Sequence, residues 1–239
     1  MSAARHPRDQ AVQSMFDRIA GRYDLLNRVI SFRLDTWLRA QAIRTVLSGE
    51  NPMIVDLGTG TGDLAFSAAK IANGRARIVG LDFSRQMLRL AQNKRADAPH
   101  GSSTAFIQGS AMAAPLRENT FDGAMTAFVL RNVSDLPLFF TEAYRVLKPR
   151  GKLVSLDMFP PTTGWFAKLY SIYFYRMMPW IGGLLSNDRQ AYQYLSDSVR
   201  RFHSPETVAT MIAATGFEDV ALRKFLCGAV CMHVAVKPS

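Results

Sequence analysis

The chain has 239 residues, 48% of them hydrophobic and 20% charged, with two cysteines and a net charge of +10. That size suits a single α/β domain over 1–239 with a helical cover, and the apolar fraction excludes a disordered chain beyond the polar start MSAARHPRDQ. Two cysteines exclude a disulfide scaffold, and the start lacks the apolar run of a secretory signal, so a reducing, cytoplasmic setting is expected.

Residues 10–47 read as two helices, QAVQSMFDRIAGRYDLLNRVI and SFRLDTWLRAQAIRTVL, with Ser31 capping the second. Arginines crowd them, at Arg18, Arg22, Arg28, Arg33, Arg39 and Arg44. A solvated face is the ordinary explanation for one such cluster. The total suits nucleic acid or an anionic membrane surface, where each nearby Lys or Arg contributes about 1 kcal/mol. After the loop SGENP, the apolar run IVDL enters GTGTGD, LAFSAAKIA continues as a helix, and RIVGLD ends a second strand on Asp82. Ser84 caps the helix SRQMLRLAQNKRA, which places Met87, Leu88 and Ala91 on one face.

TAFIQG is a third strand and FDGAMTAFVL a fourth. DLPLFFTEAYRVLKP is a helix ended by Pro149 and Gly151, and GKLVSLDM is a fifth strand. Residues 159–201 hold no convincing strand. Their apolar stretch near 165–185 carries Lys168, Arg176, Pro179 and Gly182-Gly183, so it reads as a helical insertion and not a membrane span. The helix PETVATMIAATG and the strands FEDVALRKF and AVCMHVAV complete the chain. These last two strands are joined too closely for a crossover and should pair antiparallel, whereas the alternation before them argues for a parallel sheet. Cys227 and Cys231 fall in this closing strand region. On one strand their Cα atoms would lie about 13 Å apart, too far for a disulfide, and both are expected in the core.

The glycine turn carries the chemistry. Gly58, Gly60 and Gly62 give GxGxG and not the GxGxxG of a dinucleotide fold, and Asp56 and Asp63 flank them. Paired carboxylates repel a pyrophosphate but suit a ligand with an ammonium and a sulfonium, so S-adenosyl-L-methionine is the expected cofactor. Asp82, at the end of the second strand, is placed to accept hydrogen bonds from both ribose hydroxyls, with Phe83 beside it. No metal-ligand spacing involves the cysteines.

From Met15 to its C-terminus the chain resembles the UbiE/MenG quinone-biosynthesis C-methyltransferases. The resemblance rests on MFDRIAGRYDLLNRVISF (Met15 to Phe32) with Trp37, DLGTGTGDL (Asp56 to Leu64) and LRNV (Leu130 to Val133). YRVLKPRGKL (Tyr144 to Leu153) and NDRQAYQYLSDSVR (Asn187 to Arg200) extend it. The glycine turn is common to class I methyltransferases; the other segments are narrower. The chain departs from the pattern at Asp35, commonly His, at Ser110, commonly Asn or Asp, and at Ala127, commonly Ser. Arg150 replaces a Gly, and Asp157 a Glu.

The resemblance implies a class I, Rossmann-like, mostly parallel seven-stranded sheet in the order 3-2-1-4-5-7-6 with strand 7 antiparallel, covered by helices from 10–47 and 159–201. It implies S-adenosylmethionine-dependent C-methylation of a prenylated quinol, demethylmenaquinol ahead of the ubiquinone precursor. Gly58, Thr61 and Gly62 would then border the methionine part, Asp56 would orient the turn or meet the ammonium, and Ser110 and Ala111 would line adenine. Arg131 would hold the acceptor's phenolate or else serve as a structural arginine paired with Asp157 or Asp135. Asp157 is the candidate proton acceptor, and Tyr23, Asn27 and Asn132 would shape the substrate mouth. His203 and His233 read as partly buried structural histidines.

Tail burial and positive charge together imply peripheral contact with an anionic membrane, at its inner face, and a homodimer is compatible with the sequence. Three rivals remain, one of them a related small-molecule methyltransferase with another acceptor, for which fold and cofactor would be unchanged. A nucleic-acid methyltransferase is disfavoured because TAFVLRN replaces the acidic or amide residue, two prolines and aromatic of base N-methylation, and neither cysteine is placed as a nucleophile. A protein of the same fold that binds the cofactor without turnover would share every feature of the glycine turn.

Overall fold

The computed structural model describes residues 12–21, 34–160 and 189–239, with side chains of the last segment from 193 onward. Tyr23, Asn27, Ser31 and the aromatic run near 165–185 lie outside the described residues. Residues 12–21 form helix α1. Then follow α2 (Leu34–Val46), β1 (Met53–Leu57), α3 (Asp63–Ile71), β2 (Arg77–Asp82), α4 (Arg85–Arg95), β3 (Thr104–Gln108) and β4 (Phe121–Ala127). The chain continues through α5 (Leu136–Val146), β5 (Leu147–Met158), α6 (Arg189–Arg200), α7 (Pro205–Ala214), β6 (Glu218–Phe225) and β7 (Val230–Val236).

Among the described residues the strands make one sheet in the order β3-β2-β1-β4-β5-β7-β6, and β7 runs antiparallel to both its neighbours. This is the topology and the closing hairpin that the sequence leads one to expect. The sheet is covered on both faces, which is why its central strands read as unbroken apolar runs. Along β1, Ile54 packs with α2 and α3, while Val55 and Leu57 pack with α5 and α7. Side chains alternate across a strand, so Asp56 shares the face of Ile54, toward α2. Ser84 caps α4 as expected, its hydroxyl accepting from Met87 N–H at 3.1 Å. Asp135 does the same for α5.

Two boundaries differ from expectation. Helix α5 stops at Val146, and β5 begins at Leu147 instead of Gly151. Leu147 pairs with Phe121, and the register then shifts before Gly123 meets Lys152. Pro149 falls inside this irregular stretch, where a missing N–H breaks no regular ladder. Cys227 is exposed, in a short turn between β6 and β7, and only Cys231 lies in the core; both thiols are free. Burial pushes the Cys231 thiol up to about 12.

Arg150 adopts φ +65° and donates its N–H to Lys237 O at 2.9 Å. A left-handed residue with a Cβ costs about 1–2 kcal/mol, of which glycine's greater unfolded freedom returns part. Arg150→Gly is therefore expected to raise unfolding free energy by about 0.5–1 kcal/mol. Urea denaturation with an unchanged midpoint would show that this turn is unstrained.

Candidate active site

The turn after β1 folds back on β2. Leu81 O accepts from Gly58 N–H at 2.8 Å and from Thr59 N–H at 3.0 Å. Gly58 has φ +79° and Gly60 φ +55°, both in the region glycine favours. A Cβ on Gly58 would come within 2.6 Å of a Val129 methyl, whereas one on Gly60 would meet nothing within 4 Å. The backbone at Gly60 thus faces open space.

Asp82 is held from two directions: Gly60 N–H donates to Oδ2 and Ser84 N–H to Oδ1, each at 2.8 Å. Burial raises its pKa to about 6 against these two donors, and the charge of Asp17 raises it further. Each carboxylate oxygen has a second lone pair, so the bonds that orient Asp82 leave acceptor capacity for hydroxyl groups. Asp56 is 1% exposed; its Oδ2 accepts from Thr59 Oγ1 at 2.7 Å, while its Oδ1 has no partner among the described residues. Burial pushes Asp56 up to about 7, opposed by the Thr59 bond and the nearby Arg39 charge.

Phe16, on α1, borders the cleft above this turn, which Thr59, Thr61, Phe83 and Phe128 also line. Helix α1 is docked by Gln13 Nε2, which donates to Phe83 O at 3.3 Å, and by Asp17, which accepts from Ser84 Oγ. The open space is about 60 Å³, less than the roughly 300 Å³ or more of a small-molecule pocket, so the cleft is narrow as it stands. The chemistry of the lining fits an adenosyl ligand: an unsatisfied buried carboxylate oxygen, a bare glycine backbone and an anchored acid at the end of β2.

On the far wall Phe128, the residue after β4, has φ +64° and donates its N–H to Leu156 O at 2.7 Å. A bulky left-handed residue stores about 1–3 kcal/mol of strain and clusters at functional sites. Here it sets an aromatic ring 5.1 Å from the Arg39 guanidinium and 6.0 Å from that of Arg131. Arg131 Nη1 meets Asp157 Oδ1 at 2.5 Å, with the two side chains 6% and 0% exposed. Met158 N–H also donates to Asp157 Oδ1, at 2.7 Å.

Residues 4–237 match the ubiE/COQ5 methyltransferase family. The chain belongs to that family. It is 42% identical to the demethylmenaquinone methyltransferase of Thermus thermophilus, across 94% of this chain and 100% of that one. It is 38% identical to the ubiquinone/menaquinone biosynthesis C-methyltransferase UbiE of Geobacter sulfurreducens, across 95% and 89%. Among solved structures, the [4+2]-cyclase SpnF superposes with TM-score 0.68 at 18% identity, covering 96% of each chain. A possible histamine N-methyltransferase from Thermotoga maritima gives 0.66 at 19%, covering 95% of this chain and 99% of its own. These two speak for the fold alone. The chain is thus an enzyme, a methyltransferase dependent on S-adenosyl-L-methionine.

In this ubiE/COQ5 methyltransferase Gly58, Thr61, Asp82, Phe83 and Asn132 all border the cleft, and Asp56 lies beneath it through Thr59. Gly62 faces away: it is the left-handed N-cap of α3, and a Cβ there would strike Phe66 and Phe106. Ser110 and Ala111 do not border the open space. They follow β3, where Gly109 N–H donates to Asp82 O at 2.9 Å and Ser110 Oγ accepts from Met112 N–H. Asn132 also accepts from Tyr194 OH at 3.2 Å, linking the cleft to α6. Arg131 and Tyr194 border a second cavity of about 630 Å³ on the other side of this link.

His233 is a buried structural residue, with Nε2 2.9 Å from Pro205 O and Nδ1 3.4 Å from Ser155 Oγ. Burial lowers its pKa, which keeps the ring neutral. Sequence reasoning named Gly60 only as part of the motif, missed Phe16, Thr59 and Phe128, and read Arg39 as surface charge. Gly60 and Thr59 were findable, being inside the motif; Phe16 and Arg39 come from helices whose docking no local pattern announces.

Proposed function

We propose that this enzyme methylates a ring carbon of a prenylated quinol, demethylmenaquinol ahead of the ubiquinone precursor. One observation carries the reading: two buried carboxylates, one anchored and one with an oxygen unpartnered among the described residues, frame a bare glycine turn within a chain 42% identical to a demethylmenaquinone methyltransferase. The donor supplies a methyl group on a positively charged sulfur. Asp82 takes the ribose hydroxyls, Asp56 the ammonium, and the backbone at Gly58 and Thr61 the methionine chain, while Ser110 and Ala111 flank adenine. Docked α1 excludes water, which favours a step in which opposite charges cancel. Holding the two reactants in line is worth about 7–11 kcal/mol of barrier.

Arg131 is the residue positioned to draw the acceptor's hydroxyl toward its anion, because it reaches both the Phe128 ring and the second cavity. Asp157 is spent on Arg131 and backbone N–H groups in this arrangement, so its first role is to hold the guanidinium, and a proton-accepting role requires that bond to open. The test is an acceptor panel under reducing conditions with demethylmenaquinol, the ubiquinone precursor and a non-quinone phenol. Methylation of the phenol alone overturns the reading; donor binding without any methylation favours the non-catalytic rival.

A prenylated acceptor resides in a bilayer, and we extend the proposal to peripheral contact with an anionic membrane. Phe225, Val230 and Met158 are level in the sheet, so the β6–β7 turn lies at the carboxyl edge that carries the cleft. Trp37 packs edge-on against Phe225 with centroids 5.7 Å apart, and Leu34, Trp37 and Leu226 are 45%, 52% and 42% exposed. Among the described residues no helix is long and apolar enough to cross a membrane. Binding to anionic vesicles is expected to weaken as salt rises and to fall several-fold in Trp37→Ser. Equal sedimentation of both proteins would remove this rim from the contact.

A further inference from the structure

Arg39 makes no hydrogen bond among the described residues. Its side chain is 12% exposed, its Nε has no hydrogen-bond partner among the described residues, and its charge is paired only over 3.7 Å, with Asp35 on the preceding turn of α2. The guanidinium lies over Phe128 and borders the same cleft as Gly58, Gly60 and Thr61. Asp56 is the matching case of opposite sign, with a buried oxygen that has no hydrogen-bond partner among the described residues. Desolvated charges are costly unless well paired; Arg39 has the long Asp35 contact, and its charge acts on Asp56 with no hydrogen bond between them. A ligand carrying both an anion and a cation, as an amino-acid head does, would satisfy the two.

We infer that Arg39 binds the carboxylate of the donor's amino-acid head while Asp56 takes its ammonium, so that the two side chains form a socket for a zwitterion. The inference rests on the donor reading above and adds a residue to it. A guanidinium presents paired N–H groups matched to a carboxylate, a geometry a lysine does not reproduce. The Phe128 ring lies 5.1 Å from the guanidinium, which gives its strained backbone a purpose. The arrangement makes the enzyme selective for the amino-acid end of the donor, separately from the adenosine end that Asp82 holds.

Isothermal titration calorimetry tests this without turnover. The wild-type protein should bind S-adenosyl-L-methionine about 10- to 100-fold more tightly than its decarboxylated analogue, the range expected for a charged hydrogen-bonded pair. In Arg39→Met that ratio should fall toward one, with affinity for methylthioadenosine, which lacks the amino-acid head, unchanged; Arg39→Lys should keep part of the ratio. Equal wild-type affinity for the two donors overturns the inference with no variant needed, and so does an unchanged ratio in Arg39→Met. Unchanged donor binding with a raised KM for the quinol assigns the guanidinium to the acceptor instead and also overturns it. Failure of the wild-type protein to bind either donor strikes the function reading itself.

Discussion

Arg131→Ala is expected to lower the unfolding free energy by about 3–5 kcal/mol, the usual cost of leaving one member of a buried ion pair alone. Asp157 is fully buried and Arg131 is its only side-chain ion-pair partner among the described residues, so truncation leaves the carboxylate with backbone N–H groups as its described hydrogen-bond donors. The double variant Arg131→Met, Asp157→Leu should lose much less, because apolar groups of similar volume remove the desolvation cost of both charges. Chemical denaturation of the single and double variants measures the difference. A loss under 1 kcal/mol in Arg131→Ala would mean that water reaches Asp157. The double variant also separates structure from chemistry: if Arg131 stabilises the acceptor's anion, a folded double variant should turn over at least about 100-fold more slowly. Near-normal turnover would leave Arg131 a structural arginine.

Asp56→Asn should stabilise the donor-free protein and cost about 10- to 100-fold in donor affinity, the first because a buried charge is gone, the second because the ammonium loses a charged acceptor. The same opposition appears with pH. Asp56 rises from 3.8 to about 7 and Asp82 to about 6, mainly through burial. Their folded-state pKa values are raised, so the folded, donor-free protein binds protons that the unfolded chain releases. The resulting stability is fully present below about pH 4 and is lost as pH rises through about 6 to 7. The cationic donor needs both groups ionised, so its affinity grows over the same interval. Melting curves between pH 5.5 and 8, with and without S-adenosylhomocysteine, should show the donor-free midpoint falling and the ligand-induced rise growing. Asp56→Asn should flatten both trends, and a ligand-induced rise that ignores pH would refute the assignment.

The β1-turn-α3-β2 unit was legible because everything that specifies it is local: apolar runs of strand length, glycines where φ turns positive, and an acid at a strand end. Sheet order was not local and came from family resemblance. The α5–β5 junction was misjudged because Pro149 and Gly151 look like helix terminators, whereas the pairing of Leu147 with Phe121, set by distant residues, starts the strand earlier. Within the site, the motif told which glycines matter but not which way each faces: Gly62 packs against Phe106, a residue of β3. Arg39 was one arginine among several in the N-terminal segments, and the docking of α2 beside Phe128 distinguishes it from the exposed Arg44 on the same helix.

Asp17, Asp56 and Asp82 converge on one corner of a protein whose formal charge is +10. The acidic corner attracts a cationic donor at close range, while the body of the molecule repels it from afar. Dissolved ions erase the distant term first, since the Debye length is about 8 Å at 0.15 M. Raising ionic strength should therefore hasten capture of the charged donor and loosen the grip on anionic lipid, so that turnover on vesicles peaks at an intermediate salt concentration. The spent donor, one positive charge poorer, escapes that repulsion altogether.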